Sequence, residues 1–280
     1  MENRILREFI LNSLAEDLGD GDHTSLACIP AESNGKAKLL IKEKGVLAGI
    51  NVAAELYSTI DKNLKFDLIL DDGTNVVPGD IAFYLSGSQQ TILKSERLVL
   101  NIMQRMSGIA TSTHEYASLL RGLKTKILDT RKTTPGFRFL EKEAVRIGGG
   151  MNHRMGLYDM IMLKDNHIDY AGGIEKAIRK TREYLAKNKL DLKVEIEARS
   201  LDDVKTILSC GGVDRIMLDN FSVEETYVAV KEISGKYETE SSGGIDLSTI
   251  RAYAECGVDF ISIGALTHHI KSLDMSLKAI

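Results

Sequence analysis

Residues 129–168, DTRKTTPGFRFLEKEAVRIGGGMNHRMGLYDMIMLKDNHI, gather Arg131, Lys132, His153, Arg154, Lys164 and His167 around a glycine triplet. Between Arg121 and Lys164 there are ten Lys or Arg and four Asp or Glu, a surplus of +6 in a chain whose formal net charge is −4. Arginine offers a planar fork, lysine a point charge, and glycine turns let backbone N–H groups approach closely, so together they suit phosphates and carboxylates. A solvated basic face would show the same charge count. The apolar run Met160–Leu163, however, leads straight into Lys164 and places that lysine at the end of a buried strand. The pattern therefore predicts a pocket for a small, strongly anionic molecule.

The elements that must carry these residues alternate. Strand-like runs are KILDT (126–130), DMIML (159–163), KVEIE (193–197), DRIMLD (214–219), ETESS (238–242) and DFISIG (259–264), with helix-like runs near 171–187, 201–210, 222–235 and 246–256. Alternation of this kind predicts parallel α/β architecture. The strand ends deliver Arg131 and Lys132, then Lys164 to His167, then Glu197, then Asp219 and Asn220, then Ser241–Gly244, then Gly264. A β/α barrel assembles its site at that face. A doubly wound sheet also binds there, and six strands fall short of eight, so spacing leaves a small or open barrel beside the doubly wound alternative.

Ahead of this region, Ile5, Phe9, Ile10, Leu14 and Leu18 keep helical spacing as far as Gly19. Four strand-like runs follow: KAKLLIK (36–42), GVLAGI (45–50), LKFDLIL (64–70) and GDIAFYLSG (79–87). A helix from Gln90 to about Leu120 should bury Leu93, Leu100, Ile102, Met103, Met106 and Ile109, and marks the boundary between an N-terminal α/β domain (1–110) and a second α/β domain (111–280). The acidic block EDLGDGDHTS (16–25) reads as an ordering loop more than a metal site. Cys28, Cys210 and Cys256 are widely spaced and unpaired in pattern, which argues against a disulfide framework and a zinc site and for a reducing cytoplasm. No apolar run approaches the roughly 20 residues of a membrane helix, and no signal-peptide pattern opens the chain. Basic residues confined to an apolar-rich window do not predict nucleic-acid binding.

The blocks ERLVLNIMQRMSGIAT (96–111), DTRKTTPGFR (129–138), NHRMGLYDMIMLKDNH (152–167), VEIE (194–197), MLDNF (217–221), ESSGGI (240–245) and ISIGALTH (261–268) resemble the quinolinate phosphoribosyltransferase family, as does EDLGDGDHTS. The resemblance implies an N-terminal α/β (α+β) domain followed by an open six- or seven-stranded α/β barrel. It implies a glycosyltransferase of pyridine nucleotide and NAD biosynthesis that converts quinolinate and phosphoribosyl pyrophosphate, with Mg²⁺, into nicotinate mononucleotide, pyrophosphate and carbon dioxide. It also implies a homodimer with shared active sites, and leaves assembly into hexamers open. Carried over by motif, Arg131, His153, Arg154 and Lys164 would surround quinolinate, with Arg97 supplied by the partner subunit. Lys132, Lys164, Glu197 and Asp219 would act on phosphoribosyl pyrophosphate and in catalysis. Ser241, Ser242, Gly243, Gly244, Ser262, Ile263 and Gly264 would offer backbone N–H groups to its phosphate. No dedicated metal cage is implied, since Mg²⁺ arrives on the pyrophosphate and would meet Glu197 and Asp219.

Overall fold

The computed structural model describes residues 2–280, with side chains from Arg4 onward. In chain order the elements are α1 (Glu2–Leu18), α2 (His23–Cys28), β1 (Asn34–Ile41), β2 (Gly45–Val46), α3 (Ile50–Ile60), β3 (Lys65–Leu68), β4 (Asn75–Val76), β5 (Ile81–Ser88), α4 (Gln89–Leu119), β6 (Lys126–Leu128), α5 (Arg138–Ile147), β7 (Ile161–Leu163), α6 (Asp165–Ala171), α7 (Ile174–Asn188), β8 (Val194–Ala198), α8 (Leu201–Cys210), β9 (Arg215–Asp219), α9 (Val223–Ile233), β10 (Glu238–Ser242), α10 (Ile250–Glu255), β11 (Phe260–Ser262), α11 (Ala265–His268) and β12 (Met275–Ala279). None of the described helices is long and apolar enough to cross a membrane.

Two compact units emerge. One contains the chain up to His114 together with Thr134–Gly149 and His269–Ile280; the other contains Glu115–Thr133 and Gly150–His268. The first unit is built on an antiparallel sheet in the order β12-β1-β5-β3. Tyr57, Phe66 and Phe83 pack with ring centroids 4.5–6.0 Å apart beneath it. The run GVLAGI, expected to be a strand, is strand only at Gly45–Val46; α3 then starts at Ile50. The reason is local. Gly49 adopts φ 97°, which L-residues avoid, and the carboxylate of Asp72 accepts from the N–H groups of Ile50 (2.8 Å) and Asn51 (3.3 Å), satisfying the new helix end. On α4 the expected buried residues Leu100, Ile102, Met103, Met106 and Ile109 are buried, but Leu93 is 43% exposed.

The second unit holds a six-stranded parallel sheet in the order β6-β11-β10-β9-β8-β7, so β6 and β7 are its edges and the sheet is an open barrel-type arrangement. Met151 adds a single parallel bridge to Leu128 on the β6 edge, which is as near as the chain comes to a seventh strand. Helices follow β7 to β10 in turn, the crossover pattern that parallel strands require. Val194 and Ile196 on β8, Ile216 and Leu218 on β9 and Ile261 on β11 are 0% exposed; burying each side chain is worth about 1.5–3 kcal/mol. Those outward-facing apolar residues fix the strands against the helices and leave the alternate positions to the barrel interior.

Candidate active site at the strand ends

Strand alternation decides which residues meet. Register places Glu195 beside Arg215, Glu197 beside Met217, Met217 beside Glu240 and Asp219 beside Ser242. Residues two apart share a face, so Glu195 and Glu197, then Arg215, Met217 and Asp219, then Glu238, Glu240 and Ser242, form stacked inward layers. The upper layer opens into a cavity of about 760 Å³ whose walls include Arg131, Lys132, His153, Arg154, Lys164, Glu197, Asp219, Ser242, Gly243, Gly244, Ser262, Ile263 and Gly264. The structure thus brings together the sequence-expected site residues except three: His167, Ser241 and Arg97 do not line this cavity. Ser241 is buried with an unpartnered hydroxyl and does not line the cavity, because alternation turns it opposite to Glu240 and Ser242. Arg97 lies exposed on α4 of the first unit.

The cationic wall is largely uncompensated. Arg131, Lys132 and Arg154 have no carboxylate within ion-pair distance among the described residues, and the Nε of Arg131 is buried without a hydrogen-bond partner. Desolvation, and then the neighbouring charge of Arg131, lower the pKa of Arg154, so this guanidinium is held where its charge is disfavoured. Its Nη1 donates to the Met160 carbonyl at 3.1 Å. An anion that reaches this wall would relieve both effects. Lys164 differs, since its Nζ donates to Glu197 Oε1 at 2.9 Å, while Glu197 Oε2 accepts the Asp165 N–H at 3.1 Å. Glu197 therefore joins the end of β7 to the start of α6. His167 does not line the cavity; its Nδ1 accepts the Lys164 backbone N–H at 3.1 Å and so orients the lysine. Asp129, which sequence reasoning gave no role, is fully buried and accepts the His153 N–H at 2.9 Å, tying the NHR segment to β6.

Across the cavity stand the two carboxylates. Burial, and then the charge of Glu197, raise the pKa of Asp219, whose Oδ2 accepts from Asn220 at 2.8 Å. The glycine turns complete the wall. Gly243 has φ 99°, and a Cβ there would lie 2.1 Å from Asn220 Oδ1. A Cβ on Gly264 would lie 2.9 Å from His268 Nε2 and 3.1 Å from Lys132 Cδ, so glycine is what lets Lys132 and His268 close in. His268, the last residue of the block ISIGALTH, also lines the cavity.

Beneath the cavity lies a polar layer that sequence reasoning missed. Arg215 donates to Glu240 Oε2 at 3.0 Å and to Glu238 Oε2 at 3.1 Å, and its guanidinium sits 4.1 Å from the Phe260 ring centroid. His153 Nε2 lies 2.9 Å from Glu195 Oε2 and 3.5 Å from Glu240 Oε2. Glu195 and Glu240 are fully buried, and desolvation raises both carboxyls. The signal was present: charged residues spaced two apart within VEIE and ETE, in strands buried on both sides, can only point into the barrel.

Comparison with known proteins decides the family. The profile of the quinolinate phosphoribosyl transferase N-terminal domain matches residues 22–107, and that of the C-terminal domain matches residues 109–278. The chain belongs to the quinolinate phosphoribosyl transferase family. It is 43% identical over 288 residues to quinolinate phosphoribosyltransferase [decarboxylating] 2b, mitochondrial, of Nicotiana tabacum, covering 98% of this chain and 82% of that relative. It is 41% identical over 277 residues to the probable nicotinate-nucleotide pyrophosphorylase [carboxylating] of Bacillus subtilis, covering 99% and 94%. Among solved structures, the nicotinate-nucleotide pyrophosphorylase from Francisella tularensis superimposes with a TM-score of 0.92 at 41% identity over 99% of this chain and 97% of that one. All the cavity residues fall within the C-terminal family domain, and Arg97 within the N-terminal one.

Proposed function

We propose that this chain transfers the phosphoribosyl group of phosphoribosyl pyrophosphate to quinolinate, releasing pyrophosphate and carbon dioxide and leaving nicotinate mononucleotide, a step of NAD biosynthesis. The observation that carries this reading is the uncompensated wall of Arg131, Lys132 and Arg154 facing Glu197 and Asp219 across one cavity. Quinolinate presents two adjacent carboxylates, for which Arg131 and Arg154 are planar partners. His153 and Lys164 complete that side, and Arg97 enters from a partner subunit. Lys132 and Lys164, with the turns Ser242–Gly244 and Ser262–Gly264, hold phosphoribosyl pyrophosphate.

Pairing two polyanions is costly unless fixed cations neutralise them, and cations fixed in a closed site act more strongly than in water. The ribose C1–oxygen bond to pyrophosphate breaks as the pyridine nitrogen bonds to C1, and Glu197 and Asp219 favour the positive charge that develops there. Quaternisation of the nitrogen then stabilises the electron pair left at the ring carbon when carbon dioxide departs. That carbon takes up a proton.

Mg²⁺ fits the acidic side. The charge of Glu197 raises the pKa of Asp219, so the two carboxylates repel. Their hard oxygens leave most of a magnesium coordination sphere to water and pyrophosphate. Glu197 and Asp219 would hold the ion, which would neutralise the leaving group. A homodimer is supported by exposed apolar side chains on the barrel unit, with Leu157 71%, Tyr158 72% and Tyr170 91% exposed, and by the exposure of Arg97. A cytoplasmic location is supported by three free cysteines. Incubation with phosphoribosyl pyrophosphate, Mg²⁺ and either quinolinate or nicotinate tests the reading: nicotinate mononucleotide should form from quinolinate only, and no product from a folded protein would overturn it.

A further inference from the structure

A lysine is a compact charge on a flexible four-carbon stem, and that stem must be ordered before the charge can be aimed. Lys164 is held by its head, since Glu197 Oε1 accepts from its Nζ at 2.9 Å. Lys132 makes no ion pair among the described residues, and it lies beyond the end of β6 at Leu128, in chain that forms neither strand nor helix. What holds it is its backbone and its stem. The Lys132 N–H donates to Thr130 Oγ1 at 3.1 Å, and its carbonyl accepts from Thr267 Oγ1 at 2.7 Å. The stem runs over Gly264, where an added Cβ would lie 3.1 Å from Lys132 Cδ.

Thr267 and Gly264 belong to one tightly bonded turn between β11 and α11. The Gly264 carbonyl accepts the N–H groups of Thr267 (3.1 Å) and His268 (3.3 Å), while Leu266 and Thr267 are 0% and 1% exposed. The Thr267 hydroxyl also lies 3.3 Å from the Gly264 carbonyl, but a hydroxyl has one proton to donate, and the Lys132 carbonyl at 2.7 Å is the nearer acceptor. Thr267 itself does not line the cavity, whereas Lys132, Ser262, Ile263 and Gly264 do. We propose that Thr267 is a positioning residue for phosphoribosyl pyrophosphate: its buried hydroxyl ties the Lys132 carbonyl to the β11–α11 turn, so that the lysine and the Ser262–Gly264 backbone meet the substrate as one unit. The proposal rests on reading Lys132 as a partner of phosphoribosyl pyrophosphate.

The test compares Thr267→Val, which removes the hydroxyl at nearly constant shape, with Thr267→Ser, which keeps it. Phosphoribosyl pyrophosphate affinity is measured by calorimetry with Mg²⁺ on the full-length protein, alongside the KM of each substrate. Thr267→Val leaves the Lys132 carbonyl without its donor, and affinity should fall roughly 5- to 100-fold, with the quinolinate KM unchanged. Thr267→Ser should keep most of the affinity even where loss of the methyl lowers the melting temperature. A double-mutant cycle separates positioning from plain structure: if Thr267 acts through Lys132, Thr267→Val should add little in a Lys132→Ala background. Additive losses in the double variant, wild-type affinity in Thr267→Val, or equal losses in Ser and Val would overturn the proposal. Should Thr267→Val fail to fold, a folded Thr267→Ser with greatly weakened binding would overturn it as well. Wild-type affinity in Lys132→Ala would overturn the reading of the cavity, and this inference with it. Weakened binding in Lys132→Ala with none in Thr267→Val would overturn this inference alone.

Discussion

Arg154→Gln removes one guanidinium from the cationic wall while keeping a side chain that can still donate to the Met160 carbonyl, to which Arg154 Nη1 donates at 3.1 Å. Two hydrogen bonds from a guanidinium to a carboxylate contribute about 1.5–3 kcal/mol each, and partial replacement by the amide leaves a net loss of about 3–4 kcal/mol. That corresponds to a roughly 100- to 1,000-fold fall in kcat/KM for quinolinate. Stability should move the other way or not at all, because Arg154 is desolvated beside Arg131 and its charge is disfavoured in the free protein. The assay is steady-state kinetics with each substrate varied in turn, paired with thermal unfolding in the presence and absence of quinolinate. Wild type should be stabilised by quinolinate and the variant should not, while the unliganded variant melts at the same temperature or higher. A loss smaller than about threefold in kcat/KM, or a variant that melts well below wild type without ligand, would refute the reasoning.

Four further outcomes are expected. Burial, then the charge of Glu195, raise Glu240 from an ordinary 4.5 to about 8; a raised folded pKa stabilises fully below the unfolded value and is lost as pH rises through the folded one. Unfolding midpoints should therefore fall between about pH 5 and pH 8, and Glu240→Gln should flatten that slope; an unchanged slope would contradict the assignment. Gly243→Ala forces a Cβ to 2.1 Å from Asn220 Oδ1 at φ 99°; it should cost about 1–3 kcal/mol of stability and raise the phosphoribosyl pyrophosphate KM, checked by denaturant unfolding and kinetics. Asp129→Ala leaves the buried His153 N–H unsatisfied, which should cost about 1–3 kcal/mol and weaken quinolinate binding, measured by calorimetry. Mixing Arg97→Ala with Lys164→Ala chains should restore part of the activity through mixed dimers, and no recovery would count against a shared site.

The barrel was legible because each parallel strand reads as an apolar run that ends in an ionisable residue, and β8, β9 and β10 fall within one or two residues of the runs KVEIE, DRIMLD and ETESS. The cations of the cavity were legible because type and spacing carry their chemistry directly. What stayed hidden depends on partners distant in sequence. Asp72 caps α3 from 22 residues away, so the helix at Ile50 leaves no local signal stronger than the strand-like GVLAGI. Asp129, just past the end of β6, and Glu240, on β10, look like ordinary strand residues until the fold brings both to His153. Strand β12 pairs with β1 from the far end of the chain, and nothing near Met275 announces that partner. Ser241 was placed in the phosphate turn because the ESSGG run suits it; alternation within β10 gives the cavity Ser242 instead.

The most direct test of the central claim is the fate of a labelled carboxylate. With quinolinate labelled at the carboxyl next to nitrogen, carbon dioxide should be released only when phosphoribosyl pyrophosphate and Mg²⁺ are present, in equal amounts with pyrophosphate and nicotinate mononucleotide. Pyrophosphate release without labelled carbon dioxide, or label loss without phosphoribosyl pyrophosphate, would contradict the assignment of the cavity to this transfer.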